Sequence, residues 1–407
     1  MLKEKKLIRF DILTIVKILL GSVFGIMLFP GILKSIVIML FCISILFLSY
    51  TRGFKINKQM FFINSSIYIV ILITLFYTSN YSEASNKLQT MLSLVIFSLM
   101  FSLLKKKEIV SIFKNIKVYL VIYIISTCLY NLIPFLWLYI SHYTLEDVIR
   151  HYPLIIIKDI GGYSIHPIYM SMHCVVSIFF SIYMFKSLNS RMLKIVILLV
   201  NIILLFFLIV YARKGPILAL LSILFFWSLF NERKKRKHYL LALIGLSILI
   251  ISIPKTRNRL VELVKREEAT SIGSNSTNTR VSIYKNAFLL IKQSPFFGYG
   301  IGDYNNQLRL SYNEHAPFLL SKQYNSHNQY FSFLLIGGIP LLLIFIYMIY
   351  YNISLSFNSN NTLLIVVIGF YCLVMLSENI LERENGVIFF SFFLNFFALK
   401  NYIITKK

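Results

Sequence analysis

The chain is poor in charge, and the charge it has is one-sided. Asp, Glu, Lys and Arg make up only 14% of its 407 residues, against about a quarter in soluble globular domains. Acids are the scarcer sign, with 16 Asp and Glu against 41 Lys and Arg, a net charge of +25. Cysteine is scarce as well. Cys42, Cys128, Cys174 and Cys372 all lie inside apolar stretches, without CxxC or Cys/His spacing. That argues against a metal knuckle and for free, buried thiols. HExxH and the Walker glycine loop are both missing, so two common metal- and nucleotide-dependent chemistries have no carrier here.

Long apolar runs stand where the charge is missing. Hydrophobic residues make up 57% of the chain, in runs of about 17 to 24 residues, each long enough to cross a hydrocarbon core of roughly 30 Å. In lipid every backbone amide must bond within its own segment, so these runs are helices. The expectation is an all-α, polytopic integral membrane protein with about 12 transmembrane helices. They fall near 12–29, 32–50, 60–78, 88–104, 118–140, 167–185, 193–210, 215–230, 238–253, 329–350, 362–377 and 386–403. Residues 1–407 then form a single transmembrane domain, with one large outer loop, 254–328, that holds short helices. The first run follows "MLKEKKLIRFD" with no small-residue cleavage site behind it, so it is expected to stay as a span.

The basic excess has two readings, nucleic acid or membrane topology. In a polytopic chain the second applies: Lys and Arg hold short loops in the cytoplasm. One alternating set of connections holds "TRGFKINK", "KKKEIVSIFKNIK", "KSLNSRMLK" and "NERKKRKH"; the short connections of the other set are poor in Lys and Arg, and the long connection 254–328, with ten of them, falls outside by parity because long loops cross regardless of charge. Both termini are therefore expected in the cytoplasm and loop 254–328 outside. Of the sixteen acidic residues only Glu4, Asp11, Glu108 and Glu232 then fall inside, scattered and without an Asp-x-Asp pair. A cytoplasmic enzyme using nucleotide sugars needs carboxylates to hold a divalent ion against a diphosphate. This chain's polar chemistry faces outward.

Several polar clusters share that outer face. "YARKG", the short turn between the seventh and eighth spans, places Arg213 and Lys214 against apolar sequence on both sides. It is either a snorkelling hairpin or a functional cation pair. In loop 254–328, "NTRVSIYKNAFLLIKQSPFFGYG" spaces Val281, Tyr284, Phe288 and Ile291 as one face of an amphipathic helix lying in the interface. Thr279 or Asn278 is the expected cap, Arg280 is expected in the first turn, and Pro295 and Gly298 stop the helix. An arginine at a positive helix end calls for an anion nearby. "GYGIGD" is not a dinucleotide fingerprint and is expected to be a tight turn. "YNSHNQY" sets His327 and Asn328 at the mouth of the tenth span, and an imidazole there is suited to proton transfer. "SENILERENG" offers Glu378 beside the eleventh span. "GGYSIHPIYMSMH" puts His166 and Tyr169 at the outer end of the sixth, where Pro167 also suits a helix start.

Arginines facing an anion, a candidate base, aromatics and amides at a lipid–water mouth suit a lipid-linked diphosphate donor. Diphosphate is already a good leaving group, and guanidinium forks can hold its developing charge. The acceptor, a sugar hydroxyl, is the poor partner and needs a base such as His327. The expected site has His327 as catalytic residue, with Arg213, Lys214, Arg280, Tyr284, Asn328, Glu378, His166 and Tyr169 around the substrate. No metal and no cofactor are expected.

"YARKGPILALL", "TRVSIYKNAFLLIKQSPFFGYGIGDYNNQL" and "SHNQYFSFLLIGGIPLLLIF", in that order, resemble the signature of the O-antigen ligase and O-antigen polymerase family. The resemblance covers roughly residues 195–350; the N-terminal half matches only as a set of spans. It implies a metal-independent, inverting glycosyltransferase in the bacterial inner (plasma) membrane, working on the outer face in cell-surface polysaccharide biosynthesis. Arg213 and Arg280 would bind the diphosphate of a polyprenyl-diphosphate-linked glycan donor, and His327 would activate the hydroxyl of a glycan or glycolipid acceptor. The lipid bilayer is the other partner, and no nucleic acid is implied. Ala212 stands where a small hydroxyl residue often precedes the arginine, and Tyr284 where the family often has tryptophan. Whether Arg213, Lys214 or both meet phosphate stays open. The leading expectation is a ligase that passes glycan to an acceptor of the lipid A core type. The alternatives are a repeat-unit polymerase of the same family and, more distantly, a polysaccharide transporter or flippase. A transporter should show two similar halves, and no such repeat is visible.

Overall fold

A computed structural model describes residues 11–141, 144–158, 160–185, 187–229, 233–264, 271 and 274–404. Among them every element is helical, and the chain is an all-helical polytopic membrane protein. Seven helices are long and apolar enough to span a bilayer: Gly31–Thr51, Lys58–Phe76, Ile116–Ile140, Pro167–Phe185, Arg191–Tyr211, Gln329–Asn358 and Glu384–Ile403. An eighth candidate is bent by 105°, running Tyr81–Ser102 and then turning into Lys106–Phe113. Four apolar helices are shorter: Ile12–Phe24, Lys214–Leu229, Leu243–Ser252 and Thr362–Val374. Each of the twelve expected spans thus falls on an apolar helix, though only seven or eight meet the length of a full crossing. Of the expected inner acids, Glu4 and Glu232 lie outside the described residues.

One helix was not expected. Leu145–Lys158 carries Glu146, Asp147 and Arg150 and reads as loop, yet Val148, Tyr152 and Ile156 fall at four-residue spacing and are buried. The Tyr152 hydroxyl donates to the Asn131 carbonyl at 2.6 Å, so the segment is held against helix Ile116–Ile140.

The last helix forms the middle of the bundle. Its run "FFSFFLNFF" buries Phe392, Phe393, Phe396 and Phe397 almost completely. Phe24 meets Phe392 and Phe396 edge-on at 5.0 and 5.1 Å, and Tyr123 and Phe180 meet Phe393 at 5.4 and 5.8 Å. Edge-to-face aromatic contacts hold several helices to one pillar where no hydrophobic effect acts between them. Helix Arg191–Tyr211 instead shows Met192, Ile195, Leu198 and Ile202 on its open surface, as a lipid-facing helix should.

Loop 254–328 holds the helices Pro254–Val264, Ser276–Gln293 and Tyr304–His315 and the 3-10 turn Pro317–Lys322. Helix Ser276–Gln293 is capped by Asn275, whose side chain accepts from the amides of Thr277 and Asn278 at 3.0 and 2.9 Å. The expected caps, Asn278 and Thr279, lie inside the helix, and Arg280 falls past its first turn. Its packed face is wider than the expected one. Of that face, Ile291 is buried and Tyr284 packs against Phe331 at 5.3 Å, whereas Phe288 is half-exposed. Ile283, Ala287 and Leu290 are buried as well, together with Ser282 and Asn286, and the Ser311 hydroxyl donates to Asn286 at 2.8 Å.

"GYGIGD" docks this loop onto the bundle. Helix Gln329–Asn358 breaks at Gly337 and Gly338, and Gly338 is left-handed at φ +64°. A side chain at Gly338 would collide with the Phe296 backbone. The break frees two carbonyls, which accept from the Tyr299 amide (to Leu335, 2.7 Å) and the Gly300 amide (to Ile336, 2.9 Å); the freed Ile339 amide donates to Pro295 at 2.8 Å. The Asp303 carboxylate then takes the amides of Ser79 and Asn80 at 2.6 and 3.1 Å.

Candidate functional site

The turn between helices Arg191–Tyr211 and Lys214–Leu229 is two residues long. Ala212 closes the first helix in the left-handed region at φ 48°, a conformation that is costly for a residue with a Cβ. The reversal sends its two cations different ways. Lys214 is buried, and its ammonium is taken by Glu262 at 2.5 Å, Thr277 at 2.6 Å and Ser276 at 3.3 Å. It ties the turn to two helices of loop 254–328. Arg213 has no such partner, and its Nε is buried without a hydrogen bond among the described residues. Burial lowers the proton affinity of its guanidinium; the Glu378 carboxylate opposes this, and the charges of Arg259 and Arg280 add to it.

Glu378 sits just past helix Thr362–Val374 and joins the other groups. One carboxylate oxygen takes the guanidinium of Arg280. The other lies 3.4 Å from Nδ1 of His327. Burial alone would raise this carboxyl, but the hydrogen bond with His327 and the charges of Arg280, His327 and His166 hold it below the ordinary carboxylate value.

His327 is itself left-handed, at φ 46°, and its neighbours fix that geometry. Its amide donates to the Asn325 side chain at 3.2 Å. The Tyr284 hydroxyl bonds the His327 and Leu376 carbonyls at 3.1 and 3.2 Å. Asn328 caps helix Gln329–Asn358 by accepting from Tyr330 and Phe331, and its amide donates to Leu376 at 3.2 Å. Behind them Ser326, Ser332, Asn379 and Glu382 form a buried hydrogen-bonded net. Tyr284 and Asn328 therefore stand behind the imidazole, holding its backbone.

His166 lies on the rim, immediately before helix Pro167–Phe185. Part of its ring reaches solvent, yet surrounding protein and the charges of Arg213, Arg383 and His327 disfavour its protonation, and Glu378 only partly offsets them. Its Nδ1 accepts from the Ile168 amide at 3.4 Å, which leaves Nε2–H as the free donor in the assigned tautomer. Tyr169 is buried one turn further on, against Gly386 at the start of the last helix.

The structure thus brings Arg213, Arg280, Glu378 and His327 to one end of the bundle, with His166 at its edge. Phe113, Ile116, Tyr183, Asn361, Lys400 and Ile403 line a cavity at the opposite end. A groove of about 760 Å³ between helices Ile12–Phe24 and Ile116–Ile140 contains none of the site residues. Sequence reading passed over Lys255, Arg259 and Glu262. They were legible as a charged face, recurring at i, i+4 and i+7 of helix Pro254–Val264.

Two comparisons bear on the chain. Residues 176–346 match a protein-family model described as O-antigen ligase. No curated protein matches it.

Proposed function

We propose, from the match of residues 176–346 to the O-antigen ligase family model, that the chain is a member of the O-antigen ligase and O-antigen polymerase family and transfers a glycan from polyprenyl diphosphate to a sugar hydroxyl of an acceptor. The reaction takes place at the outer face of the bacterial inner (plasma) membrane, with both termini in the cytoplasm. One observation carries this reading: Arg213, whose buried Nε lacks a partner among the described residues, shares one end of the bundle with Arg280, Glu378 and His327.

The chemistry follows from those positions. Nδ1 of His327 is turned to Glu378, which leaves Nε2 to take the proton of the acceptor hydroxyl. The hydroxyl oxygen attacks the anomeric carbon of the donor sugar, and the bond from that carbon to the diphosphate oxygen breaks. The bond electrons leave with the polyprenyl diphosphate, whose growing charge is met by the guanidinium groups of Arg213 and Arg280. Attack from the face opposite the leaving group inverts the anomeric centre. Glu378 holds the imidazole in register and stabilises the imidazolium that forms, the part an acid plays behind a histidine base in other transferases and hydrolases. The acceptor we favour is a lipid A core sugar, which makes the protein a ligase.

The test is a deletion strain complemented with wild type, Arg213→Ala or His327→Ala, read on a glycan gel and by membrane insertion. Both variants should insert normally and transfer nothing; full activity in both overturns the catalytic assignment. Polymer stranded on its carrier lipid identifies a ligase. Single repeat units on the acceptor, with polymer missing, identify a polymerase.

A further inference from the structure

We infer that Arg259 is a third guanidinium of the anion site and contacts the solvent-side phosphoryl group of the donor's diphosphate, while Arg213 and Arg280 serve the inner one. The inference rests on the diphosphate reading above and adds a residue outside the motifs that carry it.

Helix Pro254–Val264 is fixed over the Arg213 turn at two points. The Lys255 ammonium donates to the Val210 carbonyl at 2.8 Å and the Ile149 carbonyl at 3.2 Å. Val210 lies in the last turn of helix Arg191–Tyr211, where a cation is favoured by the helix dipole. Glu262 grips Lys214 at 2.5 Å. Arg259 lies between these anchors on the same helix face, one turn from each. Its side chain is 50% exposed, and among the described residues the acid it pairs with is Glu262 at 3.5 Å, a carboxylate that also holds Lys214. The guanidinium is therefore accessible at the mouth and only loosely held.

Among the described residues the cations around the Arg213 turn outnumber the carboxylates they meet. The fields of Arg259 and Arg280 both act against Arg213 and Lys214, and those of Arg259 and Arg213 against Lys255. Among the described residues, Lys214, Lys255, Arg213, Arg259 and Arg280 meet two carboxylates here, Glu262 and Glu378. Evolution tolerates such repulsion where an anion of more than one charge arrives to relieve it. A diphosphate has two phosphoryl groups to satisfy. The partnerless Nε of Arg213 marks the inner end of the site, and exposed Arg259 marks the outer end.

The test uses the full chain in nanodiscs of phosphatidylcholine alone, which removes anionic headgroups as an alternative ligand. Inorganic pyrophosphate and inorganic phosphate are titrated by calorimetry against wild type, Arg213→Gln, Arg259→Gln and Arg259→Lys. Arg259→Gln should weaken pyrophosphate about tenfold, the worth of one charge-assisted hydrogen bond, and weaken phosphate less than twofold. Arg259→Lys should recover part of the loss. If Arg259→Gln leaves the pyrophosphate Kd unchanged while Arg213→Gln raises it, Arg259 only braces Glu262 and this inference falls while the proposed function stands. An equal loss for both anions indicates a general field and overturns the contact as well. Wild type that binds no pyrophosphate overturns both readings.

Discussion

Two polar regions lie at different places in the bundle, and they are built in opposite ways. Among the intramembrane helices, Asn64 donates to Asn395 at 2.9 Å and accepts from Asn352 at 2.8 Å. Nearby, the Asn401 side-chain oxygen accepts from Ser359 at 2.7 Å and Asn361 at 2.9 Å. These buried amides pair with one another, which is what polar glue between membrane helices requires. At the other region, Arg213 has a buried Nε with no partner among the described residues, like charges face each other, and two residues, Ala212 and His327, hold left-handed backbone. A satisfied network stabilises the fold, whereas an unsatisfied and strained one is kept for what arrives from outside.

The largest effect that should separate the two regions is Glu378→Gln. The amide keeps the shape but loses the charge that pairs Arg280 and steadies His327. Transfer should fall by about a hundredfold, within the range assigned to acid–base groups, and the acid limb of the pH–rate profile should move. The protein should still insert and run at normal abundance. A rate within threefold of wild type would mean that His327 works without its carboxylate.

Next in size is Gly302→Ala. A Cβ there would meet the Asn80 carbonyl oxygen and lie 2.7 Å from a Thr78 methyl, and backbone cannot yield as a flexible side chain does. The turn that docks loop 254–328 should shift and carry helix Ser276–Gln293, with Arg280, out of register. Transfer should drop at least tenfold, along with protease resistance in 254–328. The paired Asn352→Leu change in the satisfied region should do the reverse. It should cost about 1–2 kcal/mol of stability, read as a lower denaturation midpoint in detergent, with the rate per folded molecule unchanged.

Much of this contrast was legible in the sequence. The apolar runs predicted the helices, because length and the need to satisfy backbone groups in lipid leave little choice. Arg213, Arg280, His327 and Glu378 were legible because each interrupts an apolar or loop context at the same expected face. What sequence could not give was partnership. Arg213 and Lys214 are neighbours of equal charge, and only the left-handed Ala212 decides that one is spent on Glu262 while the other is left open. The packed face of helix Ser276–Gln293 was read too narrowly: Tyr284 and Ile291 pack as expected, but Asn286 packs as well once Ser311 bonds its amide. Arg259 was passed over because a charged helix face in a loop looks like any solvated one.

The smallest expected effect concerns the rim. His166 has its pKa lowered by surrounding protein and then by Arg213, with Arg383 and His327 adding and Glu378 opposing. The folded state therefore keeps the imidazole neutral as pH falls below the ordinary histidine value near 6.5, while the unfolded chain protonates it. Between about 4, where the folded state holds this imidazole, and 6.5 the unfolded state binds more protons, so folding weakens as pH falls. Glu378 does not contribute in the same window. Its carboxyl is held low, so its stabilisation is complete above the ordinary carboxylate range and is lost only in stronger acid. Thermal midpoints in detergent at pH 7, 6 and 5 should thus decline slightly in wild type, and the decline should be shallower in His166→Gln. Solvent at the rim keeps the difference small. Equal slopes would place His166 outside the field of Arg213, which would reduce the charged end of the bundle to Arg213, Arg280, Glu378 and His327 alone.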